Sequence, residues 1–472
     1  MTDIRKNDDL ELEERVLIRK LDWHLLPIFS ILYLLSYLNG TNIGNAKLTD
    51  LEQDVHLTSE QYQWCLSIFF LGYFFFQIPS NIILRRWRPS NWISLIVLLW
   101  GTIAVCMAAV YSFATLLLAR FLLGTFQCGY FPGFIYYISL WYRRKEQAIR
   151  LGCFWSCSAL AGAFSGLLAY AITLIKSSNL SQWQLIFIIE GIPTVIFAFI
   201  CWFYLPDSPE QARFLTNKQR QLQLDRLVQD TGISQDHSFS WSQVLSVFTD
   251  WKTYAYATIY ICGTIALQGI TLLLPTLIHD MGEWAHMETQ LMTIPPYMTA
   301  FITILIVSRS SDYFVERSFH LVFTNLLAII GLTILIFVDR QHAYLHYIGV
   351  ILVTSGVYSH VSVKVAWINN NFSSLTRRAV ALAFIVSVGS IGGLISGQIY
   401  DEKQKPQYLT GHTIALACTI IQAILTISLR IIFMFINYRR ARLNDAEIED
   451  QIEYYGGNEL VGDHHPEFRY TL

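Results

Sequence analysis

An ion deep in hydrocarbon is costly unless it is paired or faces water. Charged side chains inside long apolar stretches therefore come first, and few occur here. Arg120 and Glu190 lie about equally deep in two such stretches, near corresponding ends. Two readings follow. The pair can lock two helices together, or the planar Arg120 guanidinium can hold a substrate carboxylate through two parallel hydrogen bonds. Lys364 falls near the end of its stretch. There a lysine snorkels to the headgroups, or it serves the substrate. His360, one turn earlier, reads as a hydrogen-bonded interior residue or as a proton carrier.

Amides and hydroxyls are more plentiful. Asn39, Thr41, Asn42 and Asn45 close the first apolar stretch; Gln77, Ser80 and Asn81 lie on the second, Gln127 on the fourth and Gln268 on the seventh. A lone amide in a membrane is usually interhelical glue. Several on the first, second and fourth stretches read as the lining of a wet cavity. Tyr130, Phe131, Phe134, Tyr136 and Tyr137 surround Pro132 and Gly133, mostly as packing, with one or two free to stack on a flat ring.

Other chemistries find no support. The chain has no H-E-x-x-H, G-x-S-x-G or phosphate-binding loop, so we expect no enzyme and no cofactor. Its eight cysteines all fall in apolar stretches without a C-x-x-C pair. They read as small buried residues, and no metal site is expected. A net charge of −2 with no basic stripe argues against nucleic acid. Asn179-Leu180-Ser181 fits a glycosylation sequon in a short loop.

These residues must be positioned by membrane helices. Of 472 residues, 53% are hydrophobic and only 14% charged, where a soluble domain carries roughly 25% charge. Runs of roughly 20 apolar residues, the length that crosses a bilayer, recur at 25–43, 62–84, 92–110, 114–139, 149–174 and 183–204, and at 253–279, 288–308, 319–338, 345–368, 377–399 and 412–437. We number them spans 1 to 12. The expected organisation is an N-terminal segment 1–24, a six-helix bundle 25–205, a polar linker 206–252, a second six-helix bundle 253–438 and a tail 439–472. Lys and Arg crowd alternate loops, with three over 85–88 and four over 143–150, and none lies within 280–288. The asymmetry places both termini and the linker in the cytoplasm.

The halves echo each other. Span 5 carries Ser158, Gly162 and Gly166 at four-residue spacing, and span 11 carries Gly389, Gly393 and Gly397. Such stripes let helices pack closely. Matched copies point to a duplicated six-helix unit, with a binding site between the repeats.

Several local runs support a resemblance over nearly the whole chain. They include Asn42-Ile43-Gly44-Asn45-Ala46-Lys47, Gln61-Tyr62, Ser67-Ile68-Phe69-Phe70, Ile78-Pro79-Ser80-Asn81, Ala119-Arg120-Phe121, Phe131-Pro132-Gly133, Leu140-Trp141-Tyr142 and Ile189-Glu190-Gly191. Further along stand Leu205-Pro206-Asp207-Ser208-Pro209-Glu210, Arg378-Ala379-Val380, Gly392-Gly393 and the ending Phe468-Arg469-Tyr470. With these the chain resembles the anion:cation symporters of the major facilitator superfamily, the fungal allantoate and nicotinate permeases. The resemblance implies the two-bundle fold and uptake of a small organic anion such as nicotinate, allantoate, pantothenate or biotin, with protons, at the plasma membrane. The chain departs from that pattern at Asn39-Gly40, where the family has Asp-Arg, and at Gln77 and Gln127, where it has Glu. An amide hydrogen-bonds but takes up no proton near neutrality, so coupling at these positions lacks its titratable groups.

The expected function is alternating-access import of a small organic anion by an all-α, twelve-helix membrane protein acting as a monomer. Arg120, Glu190, Asn39, Asn42, Gln77, Gln127, Gln268, His360 and Lys364 are the candidates for substrate or proton. The alternatives are an uncoupled facilitator for a less charged solute and a transporter-like nutrient receptor.

Overall fold

The computed structural model describes residues 2–175, 180–231, 241–281, 286–339, 341–373, 375–400, 402–405, 407–444, 447–448, 465–466 and 468–472. Asn179 of the sequon and parts of the linker and tail lie outside them. Among the described residues the elements are helical, and twelve helices are long and apolar enough to cross a membrane.

In the structure spans 1 to 6 run Leu12–Lys47, Ser59–Leu84, Pro89–Ala109, Phe113–Ser139, Ile149–Ile172 and Gln182–Tyr204. Spans 7 to 12 run Trp251–Asp280, Glu288–Phe314, Ser318–Phe337, Ala343–Asn370, Val380–Ile399 and Leu409–Arg440. Local sequence sets several boundaries. Thr58 and Gln61 form a reciprocal capping box that opens span 2, and Ser112 with Thr115 opens span 4. Span 4 breaks into Phe113–Gln127 and Tyr130–Ser139. Pro132 has no N–H to give the carbonyl four residues back, at Cys128, which explains the break.

Helix 1 starts earlier than the apolar run at 25–43. Leu17, Leu21 and Leu25 are buried although the sequence around them is polar. The start of helix 1 is bonded to an amphipathic linker helix, Asn217–Thr231, that hydropathy alone does not show: Lys20 donates to Gln219 Oε1 at 3.0 Å. Arg226 of this helix is buried and holds Glu146 at 2.5 Å and Glu14 at 3.4 Å, and Gln223 donates to the Trp141 carbonyl at 2.6 Å. Arg150 grips Asp22 with two bonds of 2.7 and 2.8 Å. The linker is thus part of the packed face that carries both termini.

The chain's last residues pack on that face too. The Tyr470 ring stacks on Phe433 at 4.6 Å, and its hydroxyl accepts from Lys252 at 2.8 Å. Trp367 and Asn371 donate to the Thr471 carbonyl at 2.8 and 3.1 Å.

Two hydrophobic cores result. One is built almost wholly from spans 1 to 6, the other mainly from spans 7 to 12. Tyr37, Phe131, Ile135 and Trp155 of the first half lie half-buried against the second core, where the bundles meet.

Candidate functional site

The bundles touch along two related seams. Small residues form them because only a hydrogen lets the other bundle approach so closely. In span 5 a Cβ on Gly162 would lie 2.5 Å from the Tyr297 ring of span 8, and one on Gly166 would strike Thr293 and the Gln290 carbonyl. In span 11 a Cβ on Gly393 would strike the Phe70 ring of span 2, and one on Gly397 would lie 2.6 Å from Ser67 Oγ. The stripes thus occupy equivalent places in the two halves. Gly389 faces inward within its own half, against the Tyr260 ring. Polar contacts reinforce the second seam: Ser67 Oγ donates to the Leu394 carbonyl at 3.0 Å, Gln63 to the Tyr400 carbonyl at 3.1 Å, and Ser387 Oγ to Gln77 Oε1 at 3.0 Å.

Between the seams lies a hydroxyl cluster spanning both bundles. The Tyr37 hydroxyl of span 1 bonds the Tyr358 hydroxyl of span 10 and donates to Thr271 Oγ1 of span 7 at 3.3 Å; Thr271 and Tyr358 are 2.8 Å apart. Trp155 Nε1 of span 5 donates to the Tyr358 carbonyl at 3.0 Å, and Tyr297 meets the Tyr358 ring edge-on with centroids 5.7 Å apart. Tyr33, Phe154 and Trp155 extend an aromatic wall on the first-bundle side, with Tyr33 4.1 Å from Phe154 and 5.7 Å from Trp155. Hydroxyls beside ring faces suit a flat solute with a polar edge.

Each bundle also has a buried polar centre. In the first, Asn39 Nδ2 donates to Thr194 Oγ1 at 2.8 Å, Gln127 Nε2 donates to the Ser36 hydroxyl at 2.5 Å and to its carbonyl, and Asn45 bonds Ser165. These contacts tie span 1 to spans 6, 4 and 5. The Glu190 carboxyl lies beside the Asn42 side chain.

Arg120 departs from the expected pair. Its Nε donates to the Cys65 carbonyl at 3.3 Å and its Nη1 to the Gly40 carbonyl at 3.1 Å, over the Phe69 ring at 4.8 Å. It makes no ion pair with Glu190. Equal depth along two helices does not bring side chains together when they face different neighbours. The guanidinium instead clamps spans 1 and 2 to span 4.

Lys364 also departs from expectation. It does not snorkel: it is 0% exposed, and its Nζ sits 4.2 Å from the centre of the Tyr260 ring. Span 10 runs on to Asn370 under the docked tail, so its terminal turns are covered by protein. A Cβ on Gly263 would lie 2.8 Å from Lys364 Nζ, 2.7 Å from Gln422 Oε1 and 2.9 Å from His360 Cε1. Spans 7, 10 and 12 therefore converge at one point. Gln268, lower on span 7, is partly exposed and apart from this group.

The Major Facilitator Superfamily model matches residues 29–397. The chain belongs to the major facilitator superfamily. A "High-affinity nicotinic acid transporter" of Saccharomyces cerevisiae is 32% identical, aligned over 97% of this chain and 85% of its own length. An uncharacterised transporter of Schizosaccharomyces pombe is 33% identical over 96% and 94%. A major facilitator-type transporter of Emericella nidulans is 30% identical over 97% and 93%. Among solved structures, the xylose transporter of E. coli in a partially occluded inward-open conformation superposes with a TM-score of 0.69 at 13% identity, covering 86% of this chain and 97% of that one. A bacterial homologue of the human lysosomal transporter Spinster, inward-facing and unoccupied, gives 0.58 at 14% identity over 85% and 94%.

The chain is therefore a multi-pass superfamily transporter. Sequence reasoning missed the residues that join the two bundles. Tyr37, Thr271 and Tyr358 carry hydroxyls that look ordinary in an apolar run. Gln422 had a usable signal, as an uncharged amide in the middle of the last span.

Proposed function

We propose that this transporter imports a small, flat organic anion of the nicotinate type by alternating access, across the plasma membrane and with both termini cytoplasmic. The observation that carries the reading is the hydroxyl cluster of Tyr37, Thr271 and Tyr358 between the bundles, walled by Trp155 and Tyr297. It lies where a rocking motion of one bundle on the other would expose a solute first to one side and then to the other. The glycine seams on either side are surfaces along which such rocking takes place. The nicotinic acid transporter among the relatives supports the substrate class, and alternating basic loops support the orientation.

Proton coupling through Asn39, Gln77 and Gln127 has no physical basis, since all three are amides. Their bonds to Thr194, Ser387 and Ser36 give them structural work instead. The test is uptake of radiolabelled nicotinate, allantoate, pantothenate and biotin into vesicles containing the chain, with and without a pH gradient. Saturable uptake of nicotinate, blocked by excess unlabelled nicotinate, is expected. Uptake of none of the four above empty vesicles would overturn the reading.

A further inference from the structure

Among the described residues, the buried amine of Lys364 in the second bundle has no acidic partner. Among the described residues, Lys364 Nζ and both side-chain polar atoms of Gln422 are buried and lack hydrogen-bond partners, and the buried His360 ring lies against the Gly263 backbone beside them. They meet at Gly263, whose missing side chain makes the room. Spans 7, 10 and 12 carry no Asp or Glu within 253–279, 343–370 or 409–440. A buried ammonium surrounded only by neutral groups is costly, and the cost falls when an anion is brought to it. Tyr260, whose ring carries Lys364 on one side, lies near Tyr33 and Tyr73 of the first bundle. The pocket is therefore one aromatic ring away from the face between the bundles.

We propose that Lys364 is the charge partner of the transported carboxylate, with Gln422 Nε2 and His360 as its neighbouring hydrogen-bond donors. The anion-recognising site then lies in the second bundle, and Arg120 is a clamp within the first. This rests on the reading of the chain as a carrier of small carboxylates, and it names the group that reads the charge. The aromatic and hydroxyl surfaces between the bundles hold the rest of the solute. Gly263 is required because any larger residue would push Lys364 and Gln422 apart.

The test is equilibrium binding to the purified full-length chain of nicotinate and of its neutral counterpart nicotinamide. The same pair is run on Lys364→Gln, Gly263→Ala and Arg120→Lys, with thermal unfolding as the check of folding. A hydrogen-bonded charge contact is worth about tenfold to hundredfold in affinity. Native protein is expected to prefer nicotinate by that factor. In Lys364→Gln the preference should collapse to near unity, through loss of nicotinate affinity with nicotinamide affinity unchanged. Gly263→Ala should weaken nicotinate selectively, and it decides the matter alone if Lys364→Gln does not fold. Arg120→Lys should keep the preference. Undiminished preference for nicotinate in folded Lys364→Gln, or in Gly263→Ala, would overturn the proposal and leave the carrier reading standing. Native protein that binds neither compound would overturn both.

Discussion

The ammonium of Lys364 rests 4.2 Å from the centre of the Tyr260 ring, and the same ring packs against Gly389 of span 11. A cation on a ring face is stabilised by the ring quadrupole, but a ring cannot neutralise it. The same tyrosine touches the element that forms a seam between the bundles. On the proposal that Lys364 reads the carboxylate, charge recognition in the second bundle and a helix at the seam share one side chain.

The seams make the most direct structural prediction. Gly393→Leu would drive its side chain into Phe70, and Gly162→Leu into Tyr297. Overpacking costs about 1–3 kcal/mol per site. Both variants should melt at lower temperature and lose uptake. Contact specificity can be checked with Gly393→Ala, which Phe70→Ala should partly restore. No restoration would mean that the loss arises elsewhere.

Arg120 should behave as a clamp. Losing its bonds to the Gly40 and Cys65 carbonyls removes two charge-assisted contacts, for a combined loss of about 3–6 kcal/mol. Arg120→Leu should therefore lower thermal stability sharply. Adding Glu190→Gln should not restore it, and the two effects should add within about 0.5 kcal/mol. Recovery in the double variant would show an ion pair after all.

The helices and their number were legible because hydrocarbon demands long apolar runs, and nothing in a soluble protein imitates twelve of them. The glycine spacing in spans 5 and 11 was legible for a similar reason: close helix approach requires small residues. Which side chains meet was far less so. Lys364 read as a snorkelling residue because the sequence does not reveal a C-terminal tail folded over the end of span 10. Arg120 and Glu190 read as partners because sequence gives depth along a helix but not the direction each side chain takes. The helix Asn217–Thr231 was hidden because its amphipathic pattern is too polar for a hydropathy scan.

The hydroxyl cluster should bias the conformational balance. Tyr358→Phe removes the bonds to Tyr37 and Thr271, about 1 kcal/mol in favour of the state seen here. That corresponds to roughly a fivefold shift in population. A single cysteine placed at Gln63, which bonds Tyr400 across the seam, should then be labelled several times faster by a membrane-impermeant thiol reagent. The background protein must have its native cysteines removed. Unchanged labelling would place the cluster outside the conformational switch.

Asp54, in the loop before span 2, accepts from Ser181 Oγ and Trp183 Nε1, each at 2.7 Å. These two bonds hold its carboxyl below the usual carboxylate range. The sign follows from that depression. The contacts stabilise the fold above the ordinary carboxylate pKa, and this contribution fades as pH falls through the lowered one. Asp54→Asn should reduce thermal stability slightly at neutral pH and flatten its decline in acid. A melting profile against pH that is unaltered by the substitution would count against the loop contact.

The central claim is that this superfamily member moves a small organic anion between two sides of a membrane. Counterflow tests it most directly, because exchange needs no knowledge of the coupling ion. Proteoliposomes holding the purified chain are loaded with unlabelled nicotinate and diluted into a trace of labelled nicotinate. The account predicts a transient accumulation of label above equilibrium, abolished in Gly393→Leu. Saturable nicotinate binding to the same protein with no transient accumulation would contradict it and identify a receptor.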